Sequence, residues 1–186
     1  VLLLKVLKPL EVDATNNRDN LKIFLAGSIE QGAASNWQDY VIHSFKDCDI
    51  EFYNPRRDGW DNSWGENSPE LLNQINWELT NLEVADLIVL YLDPNTKSPI
   101  SLLELGLYAK SNKLIVCCPD EFYRKTNILV TCEKYNIPLF SNLEGFIASI
   151  FTEYDKFSIE KQMMPSIDYT AEIDNELFKR MFNLPA

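Results

Sequence analysis

The sequence predicts an α/β protein built on a five-stranded parallel sheet with helices on both faces. Three observations lead there. Short apolar runs rich in β-branched and aromatic residues alternate with longer stretches of helical periodicity, an order that gives parallel strands joined by right-handed crossovers. The strongest run, Ala85-Asp86-Leu87-Ile88-Val89-Leu90-Tyr91-Leu92, has the length and composition of a strand. The turn signal DPNTK (93–97) follows it. Ser98-Pro99 comes next, an N-cap with proline in the first helical turn.

The other elements follow in order. Residues 1–20 open with the apolar VLLLKVL and continue into the polar run DATNNRDN. The apolar piece is too short to span a membrane and lacks a small-residue cleavage site, so an extra strand or packing arm is expected, followed by a linker. Residues 22–26 are the first core strand, and Gly27-Ser28 ends it. Glycine here either makes a plain tight turn or lets backbone amides approach a ligand. Residues 36–46 read as an amphipathic helix with Trp37, Tyr40, Val41, Ser44 and Phe45 inside. Residues 50–53 form the second strand. The segment 54–69 is too long for a mere connection and holds Arg56, Arg57, Trp60 and Trp64. Its tryptophans either stack on a planar ligand or pack the loop onto the core.

Residues 69–83 are helical, with Leu71, Leu72, Ile75, Leu79 and Leu82 as the expected buried stripe and Trp77-Glu78 one position off it. Beyond the helix that opens at Ser98, residues 113–117 are the fourth strand. Residues 127–135 form a helix, 137–140 a fifth short strand and 143–154 a closing helix. From Asp155 the pattern fades, with a last amphipathic piece at 172–182, so 155–186 reads as a C-terminal arm on a domain spanning 21–154.

Composition narrows the function. At 46% apolar and 24% charged over 186 residues, the chain reads as one ordinary globular domain. A formal net charge of −11 repels phosphate polymers, so no nucleic-acid polymer is expected as partner, though one small nucleotide is compatible with it. Cys48, Cys117, Cys118 and Cys132 form no CxxC pair, which fits a reducing, cytoplasmic compartment. With His43 the sole histidine, a multi-histidine metal site is impossible, and its place in a helix suits a surface role. No metal, cofactor or membrane partner is expected.

Five stretches carry a family resemblance. KIFLAGSI (22–29), NPRRDGWD (54–61), NWELTNLEVADLIVLYL (76–92), SLLELG (101–106) and PDEFYRKTN (119–127) resemble, in order and spacing, the nucleoside 2-deoxyribosyltransferase family. The resemblance implies a doubly wound, flavodoxin-like fold and cleavage of the base–deoxyribose bond by a glutamate nucleophile. By motif position that residue is Glu104, set among Leu102, Leu103 and Leu105. Glu78 stands where relatives carry a second acid, usually Asp, and is expected as acid/base or as the group holding the base. Gly27, Ser28, Asn54, Arg56, Trp60, Asp86, Ser98 and Asn127 complete the expected substrate site. Asp86, at a strand start, suits capping or orienting rather than reaction. The resemblance also implies a homo-oligomer whose copies complete one another's pockets.

Three departures matter. Phe24 stands where the transferases have a tyrosine that orients the glutamate. Ser98 replaces an acid that reads the sugar 5′-hydroxyl, and 155–186 extends past the usual end. Asn127 does match the 5′-hydroxyl-contacting asparagine, whereas Ser98 and Gly27-Ser28-Ile29 resemble related deoxynucleotide N-hydrolases that hold a 5′-phosphate. The expected chemistry parallels retaining glycosidases, whose two carboxyls lie about 5 Å apart. Three readings follow: transfer of deoxyribose to a second nucleobase or to water, hydrolysis of a deoxynucleoside 5′-monophosphate, or a nucleotide-binding module without catalysis.

Overall fold

Strand formation follows the apolar runs closely. In a computed structural model, which describes residues 4–11, 20–30, 34–57 and 68–163, the elements alternate along the chain. They are β1 (Lys5–Leu7), β2 (Leu21–Gly27), α1 (Trp37–Ser44), β3 (Ile50–Tyr53), α2 (Pro69–Val84), β4 (Leu87–Tyr91), α3 (Pro99–Tyr108), β5 (Leu114–Cys117), α4 (Lys125–Tyr135), β6 (Leu139–Phe140) and α5 (Leu143–Met163). All strand pairs are parallel, in the order β1-β3-β2-β4-β5-β6. The sheet therefore has six strands rather than the five expected. The addition is β1, whose three residues pair with β3 from Lys5↔Glu51 to Leu7↔Tyr53.

Two cores sandwich the sheet. On one face Phe24, Ala26, Ile88, Leu90 and Val116 meet Leu82 of α2, Leu105 and Tyr108 of α3, and Ile128 and Cys132 of α4. On the other, Ile23, Leu25, Val89, Ile115 and Phe52 meet Trp37 and Val41 of α1 and Phe146 and Ile150 of α5. Strands sealed on both sides have no polar face, which is why β3, β4 and β5 are buried throughout. The chain leaves β2 toward β3 on one side and returns past it to β4 on the other. That reversal opens a crevice at the carboxyl ends of β2 and β4, where doubly wound sheets place ligands.

Two expected inner faces are corrected. Along α2 the residues turned inward are Gln74 and Leu82, with Leu71, Trp77 and Glu78 half-buried, while Leu72, Ile75 and Leu79 are exposed. The helix is rotated so that its polar flank, not its leucine stripe, meets the crevice. On α1, Tyr40 is exposed where it was expected inside, and Gln38 is buried instead. Its amide oxygen accepts from Arg56 Nη1 at 3.3 Å, which rewards that orientation. His43 sits on the exposed side of α1. The expected piece at 172–182 lies outside the described residues. No described helix is long and apolar enough to cross a membrane.

Candidate active site

The crevice floor is set by Gly27. Its φ is +133°, and a Cβ there would lie 2.3 Å from the Tyr91 carbonyl oxygen. Glycine is thus required by the close approach of β2 to β4 rather than by a ligand. Ser28 follows, fully buried, its N–H donating to Tyr91 O at 2.9 Å and its carbonyl accepting from Trp37 Nε1 at 3.1 Å.

Three hydroxyls then converge. Thr96 Oγ1 lies 3.0 Å from Ser28 Oγ and 2.7 Å from Ser98 Oγ, and the two serine hydroxyls are themselves in hydrogen-bond contact. The Asp93 N–H donates to Ser28 Oγ at 2.8 Å. All three side chains are buried. They lock the β4–α3 turn onto the end of β2, and each hydroxyl is satisfied inside the cluster. Asp93 ties in the approach to α1, its Oδ2 accepting from the N–H and hydroxyl of Ser35 at 3.0 and 2.8 Å. Burial opposes the Asp93 charge, but donors from Asn95 and Ser35 outweigh it and hold the carboxyl below its usual range.

Ser98 starts α3 with left-handed backbone (φ 48°, ψ 51°) and makes no side-chain cap. A carboxylate from across the crevice instead holds the turn that leads into the helix. Glu30 Oε1 accepts from Lys97 N at 2.6 Å and from Ser98 N at 2.7 Å. Glu30 is itself left-handed, with φ at 39°.

Further along α3, Ser101, Glu104, Leu105 and Tyr108 form the buried side. Glu104 is only 8% exposed and makes no hydrogen bond or ion pair with any described residue. Burial, and then the charge of Glu78, push its carboxyl up to about 8. Glu78 reaches the same place from α2. Burial raises its carboxyl too, but Gln74 Nε2, donating to Oε1 at 2.7 Å, and the Arg57 guanidinium both favour its charged form. Glu78 is therefore the first of the pair to ionise, and near neutral pH the remaining proton resides on Glu104.

The other expected site residues divide. Asn54 is buried, giving its N–H to Leu7 O at 2.8 Å and taking the Arg56 N–H on Oδ1 at 3.0 Å, so it shapes the start of the loop after β3. Arg56 is spent on the protein, donating to the carbonyls of Ala34 and Ser35 at 3.0 and 3.1 Å. The arginine that meets a catalytic candidate is Arg57, which the sequence reading passed over in favour of its neighbour. Asp86 is removed from the crevice. It precedes β4, at the amino edge of the sheet, and its Oδ2 caps Lys22 N at 2.9 Å. Asn127 is exposed near the start of α4, on the carboxyl side of β5. Phe24 is buried and offers Glu104 no hydroxyl. Trp60 lies outside the described residues. Glu30 had no sequence signal beyond following Gly27-Ser28-Ile29, because its partners lie far along the chain.

Comparison with known proteins follows this geometry. A family model described as nucleoside 2-deoxyribosyltransferase like matches residues 20–122, more than half of the chain. Among solved structures, the crystal structure of a conserved protein from Enterococcus faecalis V583 superposes with a TM-score of 0.54 at 19% identity. That match covers 72% of this chain and 99% of that one, and it speaks for the fold. No curated protein matches.

Proposed function

The chain belongs to the nucleoside 2-deoxyribosyltransferase-like family, and from that premise we propose that it cleaves the base–sugar bond of 2′-deoxynucleosides with Glu104 as nucleophile and passes the deoxyribosyl group to a second base or to water. The observation that carries this reading is Glu104 itself, a buried carboxyl with neither cation nor donor among the described residues, set against a second acid. A purely structural acid in such a place is costly, because burial opposes its charge and no described residue offsets it. A site that stabilises positive charge growing at C1′ needs that arrangement.

In the proposed reaction, substrate binding moves the shared proton from Glu104 to Glu78. A Glu104 oxygen then bonds to C1′ as the C1′–N bond breaks, and its electron pair leaves with the base, which takes the proton from Glu78. The incoming base, or water, attacks C1′, displaces Glu104 and returns a proton to Glu78. Gln74 and Arg57 hold Glu78 in place through both halves.

The outward stripes Leu72, Ile75, Leu79 and Ile100, Leu103, Leu107 lie on adjacent helices. We take them as the face on which copies of the chain associate. The free cysteines fit a reducing, cytoplasmic setting.

The test is incubation with deoxyadenosine and free cytosine. Deoxycytidine and adenine are the expected products. Adenine alone means water is the acceptor, and the absence of any base release refutes the reading.

A further inference from the structure

A carboxylate sits where an anionic substrate group would otherwise be held. The Lys97 and Ser98 amides lie in the turn that leads into Pro99, beside a helix start, a place suited to phosphate. Glu30 already occupies them, with both hydrogen bonds on Oε1. No described residue takes its Oε2, which can accept a hydroxyl.

Backbone strain marks the contact as selected rather than incidental. Glu30 and Ser98 are both non-glycine residues in the left-handed region, and they meet through this hydrogen bond. Such conformations persist only where the surroundings over-determine them, and they cluster at ligand sites.

The nearby groups leave little for a phosphate. The hydroxyls of Ser28, Thr96 and Ser98 are engaged with one another. Arg56 is engaged with the Ala34 and Ser35 carbonyls and with Gln38. Arg57 is drawn to Glu78. Lys97 contributes its amide to Glu30, and its side chain is exposed. Glu104 stands six residues beyond Ser98 on the same helix, roughly 9 Å along the axis. Its side chain leans back toward the helix start, so one sugar can lie between the two carboxylates.

We propose that Glu30, anchored on the Lys97 and Ser98 amides, is a specificity-determining residue that accepts the hydroxyl end of an unphosphorylated deoxynucleoside and repels the 5′-monophosphate. This rests on the reaction proposed above.

The test compares deoxyadenosine with deoxyadenosine 5′-monophosphate, by base release and by isothermal titration, using the full chain and Glu30→Gln. Glutamine keeps an acceptor for the amides and loses only the charge. The wild type is expected to favour the nucleoside by about 10²-fold in kcat/KM, and Glu30→Gln to narrow that ratio by about tenfold or more. Equal or better use of the monophosphate by the wild type overturns the inference and leaves the reaction standing, as does a ratio unmoved by Glu30→Gln. If neither compound is turned over, the reaction fails, and the titrations then judge specificity alone, with failure to bind either compound overturning both. Should Glu30→Gln not fold, inorganic phosphate and the wild type decide. No rise in melting temperature is expected, and a phosphate-dependent rise overturns the inference.

Discussion

Two glutamates are almost sealed from water, and the protein treats them in opposite ways. Glu51, fully buried on β3, receives the Tyr53 hydroxyl on Oε1 at 2.6 Å and faces Lys5 Nζ at 3.8 Å from Oε2. Its neighbours were recruited to its charge, and the pairing fastens β1 to the sheet at the Lys5↔Glu51 register. Glu104, 8% exposed on α3, receives nothing from any described residue and faces another acid. Burial alone does not mark a functional carboxylate, since both are buried. What separates them is whether the surroundings answer the charge.

The sharpest way to break this comparison is Glu104→Gln. Turnover of deoxyadenosine should fall by more than about 10³-fold with little change in nucleoside binding. Stability should move the other way. The folded Glu104 carboxyl is raised from its ordinary 4.5 to about 8, so the folded state keeps a proton that the unfolded chain has released. Its contribution is complete below about pH 4.5 and is lost as pH climbs toward about 8. Urea titrations across that window should show the wild type losing stability relative to Glu104→Gln. A wild type that instead gains on the variant as pH rises would mean that its surroundings do answer the Glu104 charge.

Glu78→Gln should cost less, about 10²-fold in turnover, because a leaving base can depart with weaker help. It also removes the charge that lifts Glu104. The wild type's kcat/KM should fall above about pH 8, where the proton held on Glu104 is lost, and that falling limb should be absent from the variant, which has no second acid to supply it. A falling limb that persists in the variant would uncouple the two acids.

Lys5→Met tests the other half of the comparison and should have the smallest effect on chemistry. Lys5 is 30% exposed, so water tempers the loss, and about 1–2 kcal/mol of stability is expected to go. Activity at a temperature where the variant remains folded should stay within about twofold. A large fall in kcat without unfolding would show that the Glu51 cluster reaches into the reaction.

Much of the fold could be read from local composition, because β2 to β5 are apolar runs buried on both faces and need no partner to be recognised. The short β1 was harder. Its apolar start left an extra strand and a packing arm both open, because the anchor that decides for a strand is the distant Glu51. The α2 helix was misread for a related reason. Leucines at three- and four-residue spacing show that positions share a face, not which face meets the core, and here Gln74 and Glu78 turn toward the crevice. The candidate acids Glu104 and Glu78 were legible through motif position. Glu30, Thr96 and Arg57 were not, since their roles depend on contacts that only the folded turn after β4 and the loop after β3 create. Asp86 and Arg56 were legible as polar residues beside motifs, yet backbone groups claim both.

Gly27 has a consequence for how this site can change. Any side chain there would run into the Tyr91 backbone, and one residue on, Ser28 is wired to Asp93, Thr96 and Ser98. In the space of single substitutions, the centre of the crevice is a cul-de-sac, where almost every step disturbs the joint between β2 and β4 before it touches a substrate. New specificity has to be sought at the rim, at Glu30, Asn127 and Arg57. There a side chain can be exchanged without reopening the sheet.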